Sequence, residues 1–121
     1  MRALVTGANG FVGRHLLAHL AQYGDSATGV DRDCDVTDSS SVLEVLERTR
    51  PEVIYHLAAL THVGDSWKNP VEFTRVNVIG TKNVLDAARA VVPDATVVLV
   101  SSADVYGIVR EEELPLSLIH I

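Results

Sequence analysis

"TGANGFVG", Thr6 to Gly13, spaces three glycines as GxxGxxG between an apolar run, "RALVT" at Arg2 to Thr6, and an amphipathic one that begins at Phe11. A glycine-rich turn joining a strand to a helix has a definite physical use. One glycine permits the tight turn, one lets the backbone approach a diphosphate, and one lets the helix pack on the strand. The helix then turns its unpaired N–H groups and the positive end of its dipole toward the anion. The spacing departs from the GxGxxG of the common dinucleotide fingerprint, but the physics is shared. The stretch predicts an α/β fold that opens on a nucleotide-binding turn.

Working outward, Val12, Leu16, Leu17 and Leu20 recur at helical spacing and predict a helix from about Phe11 to Tyr23, stopped near Gly24. Ala27 to Val30 reads as a second strand, and Cys34 to Val36 as a third that follows with almost no intervening helix. Asp38 is placed to cap a helix from Ser39 to about Arg50, with Val42, Leu43, Val45 and Leu46 as its apolar stripe and Pro51 ending it. Val53 to Leu57 is a fourth strand. Pro70 opens a long helix to about Val92, Pro93 closes it, and Thr96 to Ser101 is a fifth strand. Near-continuous apolar strands alternating with helices predict a doubly wound α/β domain. Its parallel sheet is covered on both faces by right-handed crossovers and truncated after about five strands. Residues 1–116 read as that one domain, and residues 117–121, "SLIHI", as a non-native tail.

The 121 residues are 47% hydrophobic and 21% charged with a formal net charge of −6, an ordinary globular composition. Acids bunch between Asp25 and Asp38 and again at Glu111 to Glu113, which argues against a nucleic-acid partner, since such proteins concentrate Lys and Arg. Glu111 to Glu113 read as a solvated turn. The single cysteine, Cys34, has no disulfide partner and reads as a small buried strand residue. His15 and His19 lie four apart without a third ligand spaced to join them, so no metal site is expected. The N-terminal apolar stretch is broken at Thr6 and Gly7, too early for a signal peptide, and no run reaches membrane-spanning length. A cytoplasmic protein is the expectation.

A dinucleotide turn calls for an acid about 20 residues on, at the end of the second strand, to accept from the adenine-ribose hydroxyls. Asp31 stands there. Arg32 beside it and Arg14 on the first helix could instead pair with a 2′-phosphate, so the pattern leaves NAD and NADP both open. His56 is expected to be buried with a satisfied hydrogen bond, His62 to lie in a loop, and Trp67 to pack that loop.

"TGANGFVGRHL", "DVTD" (Asp35 to Asp38), "HLAA" (His56 to Ala59), "NVIGT" (Asn77 to Thr81) and "SSADVYG" (Ser101 to Gly107) stand in an order and spacing that resemble the extended short-chain dehydrogenase/reductases. These are the NAD-dependent epimerase/dehydratase enzymes that act on nucleotide sugars. The short link after the second strand, together with "LTHVGDSWKNP", is similar to the GDP-4-keto-6-deoxymannose reductase branch. The resemblance implies a Rossmann sheet that binds NAD or NADP, a nucleotide-sugar substrate and a homodimeric parent. It implies a cofactor site made by Thr6, Gly7, Asn9, Gly10, Phe11, Val12, Gly13, Asp31, Arg32, Asp35, Val36, Leu57, Ala58, Ala59 and Asn77. Asp35 and Val36 would stand at the adenine edge. Ser102 matches the active-site serine or threonine whose hydroxyl holds the substrate oxygen, and Asp104 falls where the dehydratases carry a catalytic acid.

That family transfers its proton with a tyrosine followed four residues later by lysine, whose positive charge lowers the phenol pKa from about 10 toward neutrality. No YxxxK occurs in this chain: Tyr23 and Tyr55 are each followed by alanine at the fourth place, and Tyr106 by Arg110. The expectation is the cofactor-binding portion of a nucleotide-sugar enzyme, inactive alone, with an unpaired sheet edge and uncovered apolar surface at the fifth strand. Two other readings are a non-catalytic NAD(P)-sensing module and a flavodoxin-like domain without dinucleotide, the latter opposed by the three glycines.

Overall fold

The computed structural model describes residues 1–114; the expected tail at residues 117–121 lies outside them. Its order is β1 (Arg2–Thr6), α1 (Phe11–Gln22), β2 (Ser26–Val30), α2 (Ser39–Thr49), β3 (Val53–His56), α3 (Val63–Ser66), α4 (Pro70–Thr74), a π-helical turn at Arg75–Gly80, α5 (Thr81–Val91) and β4 (Thr96–Leu99). Two single-turn 3-10 segments follow, at Ala103–Tyr106 and Glu111–Glu113. The strands form one parallel sheet in the order β2-β1-β3-β4. The chain starts in the middle, steps to one edge, then crosses back. Right-handed crossovers in opposite directions place helices on opposite faces and leave a crevice at the strand ends where the direction reverses, here between β1 and β3.

β1 is buried on both faces and divides its residues between two cores. Leu4 joins Ile54, Val42, Val45, Leu46 and Val84 under α2 and α5, whereas Ala3 and Val5 join Leu20 under α1, with Leu16, Leu17, Tyr55 and Leu57 packed alongside. α2 begins as its sequence predicts: the Asp38 carboxylate accepts from the Ser40 N–H at 3.0 Å. It ends at Arg50 in the left-handed region (φ 43°), where the Arg50 guanidinium bonds the Val91 carbonyl and the Arg50 carbonyl accepts from the Arg2 side chain. Of the expected stripe, Val42, Val45 and Leu46 are buried, and Leu43 lies at the rim.

The third strand expected at Cys34 to Val36 does not form, and the described sheet has four strands. Cys34 and Val36 are both buried and Asp35 between them is exposed, so the segment has the period-two burial of a strand. Its backbone bonds are local instead. The Cys34 N–H reaches the Asp31 carbonyl, the Asp38 N–H reaches the Asp35 carbonyl, and Asp35 Oδ1 accepts from both the N–H and the hydroxyl of Thr37. Side-chain acceptors that close turns on their own backbone compete directly with a sheet ladder. The segment is held on the helix layer rather than the sheet: the Asn83 side chain donates to the Val36 carbonyl, and a Cβ at Gly80 would lie 2.8 Å from Val36 Cγ2.

The expected long helix is present but not uniform, because residues 75–80 widen into a π turn between two α segments. Trp67, expected to pack its loop, is 85% exposed just after α3. β4 stands at the sheet edge, with Val98, Leu99 and Val100 exposed, so the uncovered apolar edge expected at the last strand is present among the described residues. Such an edge templates pairing with other chains. Replacing Val98 by Thr and Val100 by Lys should reduce concentration-dependent light scattering while changing unfolding free energy by less than about 1 kcal/mol, as expected for exposed positions.

Candidate functional site

The crevice between β1 and β3 begins at Gly7, which takes φ +68° directly after the strand. A Cβ there would sit 2.8 Å from the Ala58 nitrogen and the Leu57 carbonyl carbon, so both conformation and space demand glycine. At Gly13 a Cβ would lie 2.5 Å from the Gly7 carbonyl oxygen, so the first turn of α1 can seat on the loop only without a side chain. Gly10 differs from both. It has an ordinary negative φ, it donates its N–H to the Gly7 carbonyl at 3.0 Å, and its Cβ position meets only that same oxygen, at 3.1 Å. The open side of Gly10 lines the crevice. α1 has no side-chain cap and no acid in its first turn, and the Arg14 N–H makes the first helical bond, back to Gly10. Unpaired N–H groups and an uncompensated positive dipole end therefore stand at Phe11, Val12 and Gly13.

One groove of about 470 Å³ runs along this line and takes in Gly7, Gly10, Asp31, Arg32, Asp35, Val36, Leu57, Ala58 and Ala59 of the expected cofactor set. Asp31 follows β2, and its Oδ2 accepts from the Asn9 N–H at 3.0 Å. It therefore braces the glycine loop, with Oδ1 left outside that bond. Asn9 enters the site through this backbone bond. Thr6 lies beneath, buried, and its hydroxyl takes the N–H groups of Leu57 and Ala58 at 3.2 Å each. Asn77 contributes from the π turn, where its side chain both accepts from the Leu60 N–H (2.8 Å) and donates to the Leu60 carbonyl (2.9 Å).

Four groove residues lie outside that expected set: Cys34, Glu72, Val76 and Arg75. Arg75 carries the most structure. It pairs with Glu72 at 2.8 Å and donates to the Thr37 hydroxyl, tying the start of the π turn to the 35–37 turn. The Thr37 hydroxyl and N–H, with Arg75 nearby, hold the Asp35 carboxyl below its usual range. Arg75 does the same for Glu72, and Glu72 in return holds the guanidinium charged. Burial pushes the Cys34 thiol up, which suits its place against the core. Helical spacing alone says that Arg75 shares a face with Glu72 but does not show that this face meets a turn 38 residues earlier.

The groove does not take in Ser102 and Asp104. The Ser102 hydroxyl caps the Ala103–Tyr106 segment by accepting from the Asp104 N–H, and it donates to Asp104 Oδ2 at 3.0 Å. Among the described residues no cluster of His, Cys, Asp and Glu could hold a metal, and no helix is long and apolar enough to cross a membrane.

Residues 3–118 match the family described as NAD dependent epimerase/dehydratase. The GDP-6-deoxy-D-talose 4-dehydrogenase of Aggregatibacter actinomycetemcomitans is 39% identical over 122 residues, covering 98% of this chain and 41% of that protein. The GDP-6-deoxy-D-mannose reductase of Pseudomonas aeruginosa is 35% identical over 117 residues, covering 95% and 38%. Among solved structures, RMD from Pseudomonas aeruginosa complexed with NADPH gives a TM-score of 0.82 at 35% identity, over 99% of this chain and 41% of that one. UDP-glucose 4-epimerase from Brucella ovis in complex with NAD also gives 0.82, at 30% identity, over 88% and 37%. The chain spans about two fifths of the length of these relatives.

His56 gives the site a pH signature. Burial holds its pKa below the ordinary value. The unfolded chain therefore takes up the proton first as pH falls, and the stability present above about pH 6.5 is lost on descending through that value. Chemical denaturation between pH 7 and 5 should show this decline, and His56→Leu should flatten it. Asp35 and Glu72, with lowered pKa values, lose their contributions only below about pH 4.

Proposed function

The chain belongs to the NAD dependent epimerase/dehydratase family, and from that premise we propose that it is the N-terminal, NAD(P)-binding portion of a nucleotide-sugar oxidoreductase, epimerase or dehydratase. The parent acts on a GDP- or other nucleoside-diphospho-4-keto-6-deoxyhexose. One observation carries the reading: a single groove at the reversal point of the sheet joins the glycine turn, the carboxylate after β2 and the small-residue wall after β3. Those are the three things a dinucleotide's diphosphate, ribose and flat rings require.

The residues present fit that cofactor. The bare face of Gly10 and the first-turn amides of α1 receive the diphosphate. Asp31 Oδ1 accepts from the adenine ribose, or Arg32, which lines the same groove, pairs with a 2′-phosphate. Asp35 and Val36 border the adenine, and Ala58 and Ala59 let the backbone approach the cofactor. When bound, the nicotinamide supplies hydride exchange with a sugar carbon. Ser102 holds the substrate oxygen, its hydroxyl turning to that oxygen from Asp104 Oδ2, to which it donates in the unliganded chain. The tyrosine and lysine that would move the proton are not in these 121 residues. The parent functions as a homodimer in the cytoplasm. A largely apolar hollow lined by Pro70, Val71, Thr74, Arg75 and Ile79 supports self-association.

Calorimetric titration of the chain with NAD(H) and NADP(H) tests this reading. At least one pair should bind, Gly10→Val should weaken it more than tenfold, and Asp31→Ala should weaken NADH by roughly tenfold, the loss of a charged hydrogen bond. No hydride transfer to a nucleotide-sugar ketone should accompany binding. Failure of every dinucleotide to bind at millimolar concentration would refute the proposal.

A further inference from the structure

The groove wall formed by residues 57–59, with Leu60 following it, hangs on a chain of two threonine hydroxyls and one imidazole. We propose that Thr6, His56, Thr81 and Asn77 act as a single directed hydrogen-bond relay that positions this wall, with His56 fixed as the neutral Nε2–H tautomer. The inference rests on the dinucleotide reading for its consequence, though not for its geometry.

Valence sets every hydrogen in the relay. The Thr81 hydroxyl has one proton and gives it to the Asn77 carbonyl at 2.7 Å. Toward His56 Nε2, 3.1 Å away, Thr81 Oγ1 can then only accept, so Nε2 carries the ring proton. In a neutral imidazole Nδ1 is then bare, and the Thr6 hydroxyl donates to it at 2.8 Å. With its proton spent there, Thr6 Oγ1 turns its lone pairs to the N–H groups of Leu57 and Ala58. The Leu57 N–H is shared with the Thr6 carbonyl at 3.3 Å, whereas the hydroxyl is the one partner found for the Ala58 N–H among the described residues.

At the far end, the residue whose carbonyl receives the Thr81 proton is the one whose side chain grips Leu60 from both sides. The wall is thus pinned at residues 57 and 58 from β1, Leu60 just after it is held from the π turn, and His56 links the two anchors. A second proton on the ring would point Nδ1–H at an oxygen already accepting from two amides, so the relay works only with a neutral ring. The buried position of His56, with its pKa held down, is consistent with that state. Thr6, His56 and Thr81 are positioning residues: they touch the groove wall or one another, not the reacting atoms.

Two measurements test the relay. Long-range ¹H–¹⁵N spectra of the native chain should show His56 as the Nε2–H tautomer at pH 7; the Nδ1–H tautomer or an imidazolium would overturn the proposal. This result does not depend on any ligand, so it stands or falls apart from the dinucleotide reading. In NADH titrations, Thr6→Val should weaken binding roughly tenfold, the scale expected for a buried N–H left without an acceptor, and Thr6→Ser should recover most of that loss. A folded Thr6→Val chain that binds NADH like the native one would overturn the positioning role. If Thr6→Val does not fold, Thr81→Val makes the test from the other end: loss of the fixed tautomer supports the relay, and an unchanged His56 spectrum contradicts it.

Discussion

The contact on which the site depends is the approach of the Gly7 backbone to the peptide joining Leu57 and Ala58. A Cβ at Gly7 would lie within 3 Å of three backbone atoms of that peptide, and no flexible side chain stands between them that could yield. The approach brings the loop after β1 and the wall after β3 together at the point where the sheet reverses direction. It also sets the origin of α1, because the Gly7 carbonyl accepts from Gly10 and lies where a Cβ of Gly13 would have to be. One turn therefore fixes the helix N-terminus, the floor of the groove and the spacing of its two sides.

The remaining walls are held by polar bonds rather than by the sheet. Asp31 braces the glycine loop through Asn9, and Arg75 ties the turn at Asp35 and Thr37 to the helix layer. Asn77 and Thr6 hold the opposite wall. Arg75 and Asn77 both belong to the π turn, so one widened helical segment serves both sides of the groove. Such turns recur at functional sites because they redirect side chains that a regular helix would aim elsewhere. Here Arg75 reaches the turn at residues 35–37 and Asn77 reaches Leu60, which gives the irregularity a use.

The strands β1, β2 and β3, the helices α1 and α2 and the glycine turn were legible in the sequence because each rests on local requirements. A positive φ demands glycine, Asp38 caps through its own neighbours, and burial on one stripe repeats every three or four residues. Of the groove, Gly7, Gly10, Asp31 and the alanines were reachable from spacing and family resemblance. The strand expected at Cys34 to Val36 failed because burial alternates there while Asp35 and Thr37 close the backbone on itself, and a period of two does not distinguish the cases. The π turn left no periodic trace, since one extra residue in a turn is smaller than the tolerance of an amphipathic pattern. Arg75 went unseen because its partner Thr37 lies 38 residues earlier, and only the fold brings the two together. His56 was expected to be buried and satisfied, and it is, but its partners come from residues 6 and 81, which only the fold brings together.

The central claim is that the backbone amides opening α1, not side-chain charge, grip the diphosphate of a dinucleotide. Amide chemical-shift mapping of the ¹⁵N-labelled chain during titration with NADH tests it most directly. The account predicts the largest shifts at the N–H groups of Phe11, Val12 and Gly13, reproduced in part by ADP and absent with nicotinamide riboside, which has no diphosphate. Binding with those three amides unmoved, or shifts confined to the side chains of Arg14 and Arg32, would contradict it.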